Sequence, residues 1–529
     1  MLSPHELKRE RIMSTSATRP NILLITCDQW RGDSVGLAGH PVVQTPNTDA
    51  LARDGVAFLR HYAGTAPCSP ARACIYTGLY QMTNRVCSNG TPLDDRHDNI
   101  ARAARRAGYD PTLFGYTDVS PDPRQHHPND PFLRSYEGVL PGFTTRVLLT
   151  EHQKTWLSWL KARGHDVSKG SPAIHVAPGT EGKITNAAPV YSKDETETAF
   201  ITDEFIRWLG EQEGAAPWFA HVSFIRPHPP FVVPAPYNTM YDPASGPGFA
   251  RAQGRDEDAA IHPLHALAMS SQKARNFVPS ADAKVSDLTE DDFRLIRSIY
   301  WGMITEMDFQ LGRIWQAIKD AGMWDNTVIV LTSDHAEMMG DHFILGKGGF
   351  FDGSYHLPLV VRDPRQKARG VKINKFTEAV DIMPTLIEAM GMEVPAHLDG
   401  RALTPFLAGE EPTDWRDAAH WEHDFRSVES GKMEAHFGVD SRGLNLAVIR
   451  TERYKYVHFG GGLPPVMFDL VNDPQETRNV ANDPAYLSAR VELAEKLLEW
   501  RARHLDQSLA LSALTDGGVA GTFALAHRA

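Results

Sequence analysis

Asn21–Asp28 reads Asn-Ile-Leu-Leu-Ile-Thr-Cys-Asp, a nearly unbroken apolar run that stops at a carboxylate. A strand with one wet face alternates apolar and polar residues; a run without a polar face belongs to a strand covered on both sides, as in a parallel sheet. Outward from this stretch, similar short runs recur at Val56–Tyr62, Tyr109–Tyr116, Trp218–Phe224, Thr327–Ser333 and Leu357–Arg362. Between them lie a turn and short helix in Thr45–Gly55 and helix-period segments at Asp98–Ala107, Glu195–Gln212 and Asp291–Gly322. Thr289, with Asp292 three residues on, has the spacing of a capping box before the last of these. Helices alternating with buried strands predict an α/β fold around a large, mostly parallel sheet.

At 529 residues the chain exceeds what one hydrophobic core normally supports, so a second, smaller unit is expected. Residues 1–18 read as a poorly ordered tail, 19–400 as the main α/β domain, and 401–529 as a C-terminal α+β subdomain with its own tail. Two stretches of the main domain, Ser135–Asp194 and Ala244–Ser286, are rich in Gly, Pro, His and charge, and read as loop insertions facing a substrate. Beyond Pro395, Leu444–Arg450 and Lys455–Phe459 read as strands of a small antiparallel sheet, and Tyr486–Arg503 as a helix on it. The tail from Ser508 is a candidate to fray or to dock on another subunit.

A hydrophobic share of 42% with 23% charged residues is that of a globular protein and argues against disorder or coiled coil. The net charge of −12 argues against nucleic acid or an anionic membrane surface as partner. No apolar run reaches membrane-spanning length, and the first residues lack the apolar core of a signal peptide, so a cytoplasmic location is expected. Four cysteines in so long a chain form no disulfide framework, and their spacing fits no common zinc motif. Cys27, Cys74 and Cys87 are read as structural.

Chemistry-bearing residues collect where the strands end. Asp28 follows the first strand, and Asp334-His335 follow Thr327–Ser333. In open α/β sheets the ligand crevice lies at the C-terminal strand ends, so these residues can converge. Two carboxylates and an imidazole suit a divalent cation; the alternative is that each aspartate caps the helix that follows.

The segment Cys68-Ser69-Pro70-Ala71-Arg72, with Thr77-Gly78 five residues after the arginine, has the Cys-x-Pro-x-Arg pattern read by formylglycine-generating enzymes. Here the chain resembles the formylglycine-dependent sulfatases, a branch of the alkaline phosphatase superfamily. The resemblance runs from about Asn21 to about Asn482 and includes TPNTDALARDGVAF from Thr45, TSDHAEMMGDH from Thr332 and MFDLVNDPQETRNVA from Met467. It implies an alkaline-phosphatase-like mixed sheet flanked by helices, with a small antiparallel sheet in the C-terminal subdomain. It also implies conversion of Cys68 to formylglycine by a maturation enzyme, and one divalent metal held by Asp28, Asp334, His335 and the modified Cys68. The hydrated aldehyde carries two hydroxyls on one carbon: one attacks sulfur or phosphorus, and loss of the other's proton collapses the resulting hemiacetal ester and expels the product. By the same resemblance Arg72 holds the diol, Lys347 contacts a nonbridging or leaving oxygen, and His228 is the base for collapse or a leaving-group contact.

The chain has Asp28-Gln29 where many sulfatases have paired aspartates, and Asp334-His335 where many have Asp-Asn. One fewer anionic oxygen and one more imidazole leave manganese or calcium as the leading metals and make zinc and iron acceptable. These substitutions, with Asn89-Gly90-Thr91 and Gly115-Tyr116-Thr117, resemble the branch of phosphonate monoester hydrolases and related arylsulfatases. Asn89 and Tyr116 are then donors to substrate oxygens, with Gln29 beside them. Asp118 stands where that branch leads one to expect a threonine, and its carboxylate favours monoanions over dianions.

The reading is hydrolysis of a small anionic ester, an aryl sulfate or phosphonate monoester, with cross-reactivity toward phosphate diesters. A narrow alkyl sulfatase such as a choline-sulfatase, and a catalytically dead binding homologue, are the alternatives; joint retention of Cys68, Pro70, Arg72, Asp28, Asp334 and His335 argues against the latter. The branch and the C-terminal tail point to a dimer or tetramer. Peptide mass analysis of protein from an aerobic host is expected to find the Cys68 peptide about 18 Da light; an unaltered thiol in fully active protein refutes the nucleophile assignment.

Overall fold

The computed structural model describes residues 19–521 except 213, 215, 508 and 509. The tail expected over residues 1–18 lies outside these, as do the start and end of the tail from Ser508. The main sheet holds β1 (Asn21–Cys27), β2 (Val56–Tyr62), β3 (Pro111–Gly115), β4 (Thr144–Leu148), β5 (Phe219–Phe224), β6 (Thr327–Thr332), β7 (His356–Leu357), β8 (Leu359–Arg362) and β9 (Val371–Glu378). Its order is β4-β3-β5-β1-β6-β8-β2-β7, with β9 also paired to β2. The strands from β4 to β6 in that order are all parallel; β8 turns antiparallel to β6, and β2 antiparallel to β8.

The unbroken apolar run of β1 has its physical cause in this placement. Every residue of β1 is buried. Leu23, Ile25 and Cys27 enter a core with Phe200, Phe205, Ile304 and Leu311, while Ile22 and Leu24 enter a second core with Ile75, Ile100, Met383 and Leu386. Each such aliphatic side chain contributes roughly 1.5–3 kcal/mol when taken from water, so β1 is anchored on both faces. The first core belongs to α1 (Pro46–Arg53), and the second to α2 (Cys68–Thr77) and α3 (Ile100–Arg106). Further along, α4 (Glu197–Gly210) and α5 (Glu290–Asp320) join the first, and α6 (Ile382–Ala389) the second. The capping box before α5 is present: Asp292 N donates to Thr289 Oγ1 at 3.2 Å, and Thr289 N to Asp292 Oδ2 at 2.8 Å.

The C-terminal region forms an antiparallel meander of β10 (Ala418–Asp424), β11 (Asn445–Thr451), β12 (Tyr454–Phe459) and β13 (Val466–Asp469). The helix α7 (Leu487–Arg503) packs on it through Leu493, Leu497 and Trp500. A hairpin of β14 (Ser512–Thr515) and β15 (Gly518–Gly521) follows. No helix among the described residues is long and apolar enough to cross a membrane.

Three differences from the sequence reading have clear causes. Leu357–Arg362 is two strands rather than one, because Pro358 between them has no N–H to give to a ladder. The segment 135–194 is more than a loop: it contributes β4 at the sheet edge and a helix, Lys154–Lys161, whose Trp156 and Leu160 are buried in the core. Edge strands face solvent, so β4 and the first half of β9 lack the apolar signature that marks β1.

Two imidazoles buried against this sheet contribute to its acid sensitivity. Burial pushes His61 and His221 down to about 3, so both are neutral in the fold. Between that value and the ordinary 6.5 the unfolded chain binds more protons, so stability falls as pH drops through the window. The urea midpoint is therefore expected to decline from about pH 6.5 downward, and His61→Asn, which retains a partner for Thr377, to make that decline shallower.

Candidate active site

The parallel strands deliver their C-terminal ends to one crevice. Asp28 follows β1, Tyr116 and Asp118 follow β3, His228 lies in the loop after β5, and Asp334 and His335 follow β6. Where β3 ends beside β5, the chain needs Gly115, whose φ is +106° and where a Cβ would collide with the Ser223 carbonyl. The helix α2 supplies Cys68 in its first turn and Arg72 one turn on, so both project from one face.

Asp28, Cys68, Asp334 and His335 are all buried, with one ligand atom from each lying within 4.8 Å of the others. Cys68 Sγ is 3.1 Å from His335 Nε2 and 4.0 Å from Asp28 Oδ1. His335 Nδ1 lies 3.2 Å from the Ala336 carbonyl, which fixes that nitrogen as the protonated one and leaves the Nε2 lone pair facing the cluster. Burial holds this imidazole down to about 4. Two carboxylates, a neutral imidazole and a fourth group converging in this way fit a single divalent cation.

Arg72 makes the cluster tolerable. Its Nε donates to Asp334 Oδ2 at 2.9 Å and its Nη2 to Asp28 Oδ2 at 3.1 Å, with all three side chains fully buried. Nη1 donates to Ser223 Oγ at 2.8 Å, Nη2 also to Tyr116 OH at 3.0 Å, and the guanidinium sits 4.2 Å from the Tyr116 ring centroid. Arg72 thus grips the aspartates and forms no hydrogen bond with Cys68. Tyr116 donates its hydroxyl to Asp28. Although burial opposes it, the surrounding His228, His335, Arg72 and Lys347 hold Asp28 far below the usual carboxylate range. Burial, reinforced by Asp28, pushes the Cys68 thiol well up, so the unmodified side chain stays protonated and is a poor nucleophile.

Lys347 lies between two glycines in the loop after β6, and its Nζ donates to Gln29 Oε1 at 2.7 Å. Gln29 has a left-handed φ of 70° and donates its side-chain amide to the buried Glu337, which also accepts from Met339 N at 3.0 Å and Gly346 N at 2.5 Å. Burial alone would lower the ammonium, but the negative charges around it, the Asp28 carboxylate among them, hold it raised. His228 has Nδ1 2.7 Å from its neighbour's carbonyl, at Pro229, leaving Nε2 toward Cys68. Burial and then Lys347 push His228 below its ordinary value. Asn89 is exposed at the rim and accepts from Ser69 N at 3.0 Å.

Asp118 is 1% exposed, at φ 51°, and neither carboxyl oxygen has a hydrogen-bond partner. Burial pushes it well above the usual carboxylate range, with Arg72 only partly offsetting this. The sequence reading missed Ser223, Glu337 and Glu151. Ser223 is hidden inside an apolar strand, Glu337 is two residues past His335, and Glu151 sits in the expected insertion. Beside Lys347 lies a cavity of about 150 Å³ whose apolar wall is Phe350, Phe351, Phe425 and Met433, the latter two from the C-terminal region together with His423.

Comparison with known proteins places this geometry. The model of the Sulfatase family matches residues 20–392, and that of the N-sulphoglucosamine sulphohydrolase C-terminal region matches 340–503. The crystal structure of the phosphonate monoester hydrolase of Agrobacterium radiobacter superposes with a TM-score of 0.93 at 60% identity, covering 95% of this chain and 99% of that one. The multifunctional alkaline phosphatase superfamily protein PehA of Trinickia caryophylli is 38% identical, over 93% of this chain and 97% of its own length. An arylsulfatase of Clostridium perfringens is 28% identical over 91% and 94%.

Binding of a cation is readable without turnover. Manganese at about a hundredfold over its dissociation constant is expected to stabilise metal-free protein by about 2.7 kcal/mol, seen as a raised thermal midpoint. Asp334→Asn is expected to remove most of that rise. Arg72→Met should lower stability by about 3–5 kcal/mol in urea titrations, because it leaves two buried carboxylates without their counter-charge.

Proposed function

The chain belongs to the sulfatase family of ester hydrolases, and we propose that it cleaves aryl sulfates and phosphonate monoesters with a formylglycine made from Cys68, accepting phosphate diesters more slowly. The observation that carries this reading is the contact of Cys68 Sγ with His335 Nε2 at 3.1 Å, inside the buried set of Asp28, Asp334 and His335. A hydrated aldehyde there supplies two hydroxyls on one carbon, one to capture the ester's tetrahedral centre and one to release it. The divalent cation, manganese or calcium before zinc or iron, supplies Lewis acidity and a lowered proton affinity at that carbon's oxygen.

This chain's own residues divide the remaining work. Asp28, Asp334 and His335 hold the cation, while Arg72 neutralises the carboxylates and fixes their orientation. Lys347, kept charged beside Cys68, faces the anionic oxygens of the ester, and Gln29 steadies it with a neutral acceptor that leaves its charge unquenched. His228 keeps its proton on Nδ1 and offers Nε2 toward residue 68, where it takes a proton during release or meets the leaving oxygen. Asn89 contributes an amide at the rim. The aromatic wall next to Lys347 has room for an aryl leaving group, which supports aryl substrates.

Maturation by a formylglycine-generating enzyme is part of the proposal, as is self-association in the cytoplasm. Leu487, Val491 and Leu498 are exposed along one face of α7, an apolar stripe that suits a second copy of the chain. Cys68→Ala is expected to lower turnover of p-nitrophenyl sulfate and of phenyl phenylphosphonate by about a thousandfold or more. Normal rates on either ester in that variant refute the mechanism.

A further inference from the structure

One acidic side chain at the mouth is at odds with an anion-binding site. The Glu151 carboxylate, Cys68 Sγ and a ring nitrogen of His228 lie within 4.8 Å of one another. Glu151 Oε1 is 3.9 Å from His228 Nε2, and its side chain is 34% exposed. No lysine or arginine among the described residues pairs with it. Its other oxygen accepts from Tyr136 OH at 2.9 Å, and its backbone N–H is held by Glu137 at 2.5 Å, so it does not swing freely away.

A carboxylate so near the attacking atom repels the very ester it must admit, and repels a second negative charge more strongly still. A positive charge on the ester's organic group reverses the sign. Where His228 meets the leaving oxygen, the part of the organic group next to that oxygen comes close to Glu151, which stands 3.9 Å from His228 Nε2 and is the more exposed of the two. We infer that the site selects sulfate and phosphonate monoesters whose organic group carries an ammonium next to the ester oxygen, with the Glu151 carboxylate as its counter-charge. This rests on the ester-hydrolase reading and names the substrate class within it.

Two aryl sulfates of nearly equal shape separate the charge from the shape: ortho-aminomethylphenyl sulfate and ortho-ethylphenyl sulfate. The ratio of their kcat/KM values is measured for the unaltered chain and for Glu151→Gln, which cancels the difference between the two leaving groups. The ratio is expected to fall about tenfold in Glu151→Gln, to be kept in Glu151→Asp, and to fall in the unaltered chain as salt is raised, since a half-exposed ion pair is screened. Should Glu151→Gln fail to fold, the salt series gives the same answer. A ratio indifferent to both Glu151→Gln and salt, with both esters turned over, overturns the inference alone. Absence of turnover of either ester by protein with converted Cys68 overturns the hydrolase reading and the inference with it.

Discussion

Asp28 and Asp334 lie side by side in a fully buried crevice because the Arg72 guanidinium bridges them. Two carboxylates in a low-dielectric interior repel each other and lose their hydration, and neither loss is made good by packing alone. The planar fork of arginine answers both problems at once, with separate donors for the two acids and a flat face for the Tyr116 ring. Arg72 sits one helical turn from Cys68, so the residue that balances the charge also registers the helix carrying Cys68. The site's electrostatics and its geometry therefore share one anchor.

The sheet explains why such distant residues meet. Parallel strands point the same way, so the residues that follow β1, β3, β5 and β6 arrive at one edge regardless of their separation in sequence. What they build is unreactive until completed. With its thiol held protonated, Cys68 has little nucleophilicity of its own, and the neutral His335 offers a lone pair that no donor among the described residues satisfies but that thiol. An interior arranged in this way favours a modified side chain and a bound cation.

Much of this was legible in the residues. The apolar run ending at Asp28 gave the central strand, and Asp334-His335 after a second such run gave the residues that the fold brings together with Asp28 and Cys68. The Cys-x-Pro-x-Arg pattern marked Cys68. What the residues did not show was which way polar side chains turn. Tyr116 and Gln29 read as substrate contacts, yet the fold turns Tyr116 to Asp28 and Gln29 to Lys347 and Glu337. Arg72 read as a clamp on the diol, whereas its hydrogen bonds go to the acids and to Ser223. Such partnerships join residues 44 to 318 positions apart, and no local spacing encodes them. Edge strands such as β4 escaped for a different reason: solvent on one side removes the pattern by which buried strands are found.

The cavity beside Lys347 takes its charge from that lysine, in the loop after β6, and part of its greasy wall, Phe425 and Met433, from the smaller C-terminal region. Those two side chains touch none of the balanced charges inside. A lineage can therefore remodel which alcohols or phenols it tolerates by exchanging bulk on that remote wall, leaving the bond-breaking apparatus intact. Taste and teeth are inherited separately.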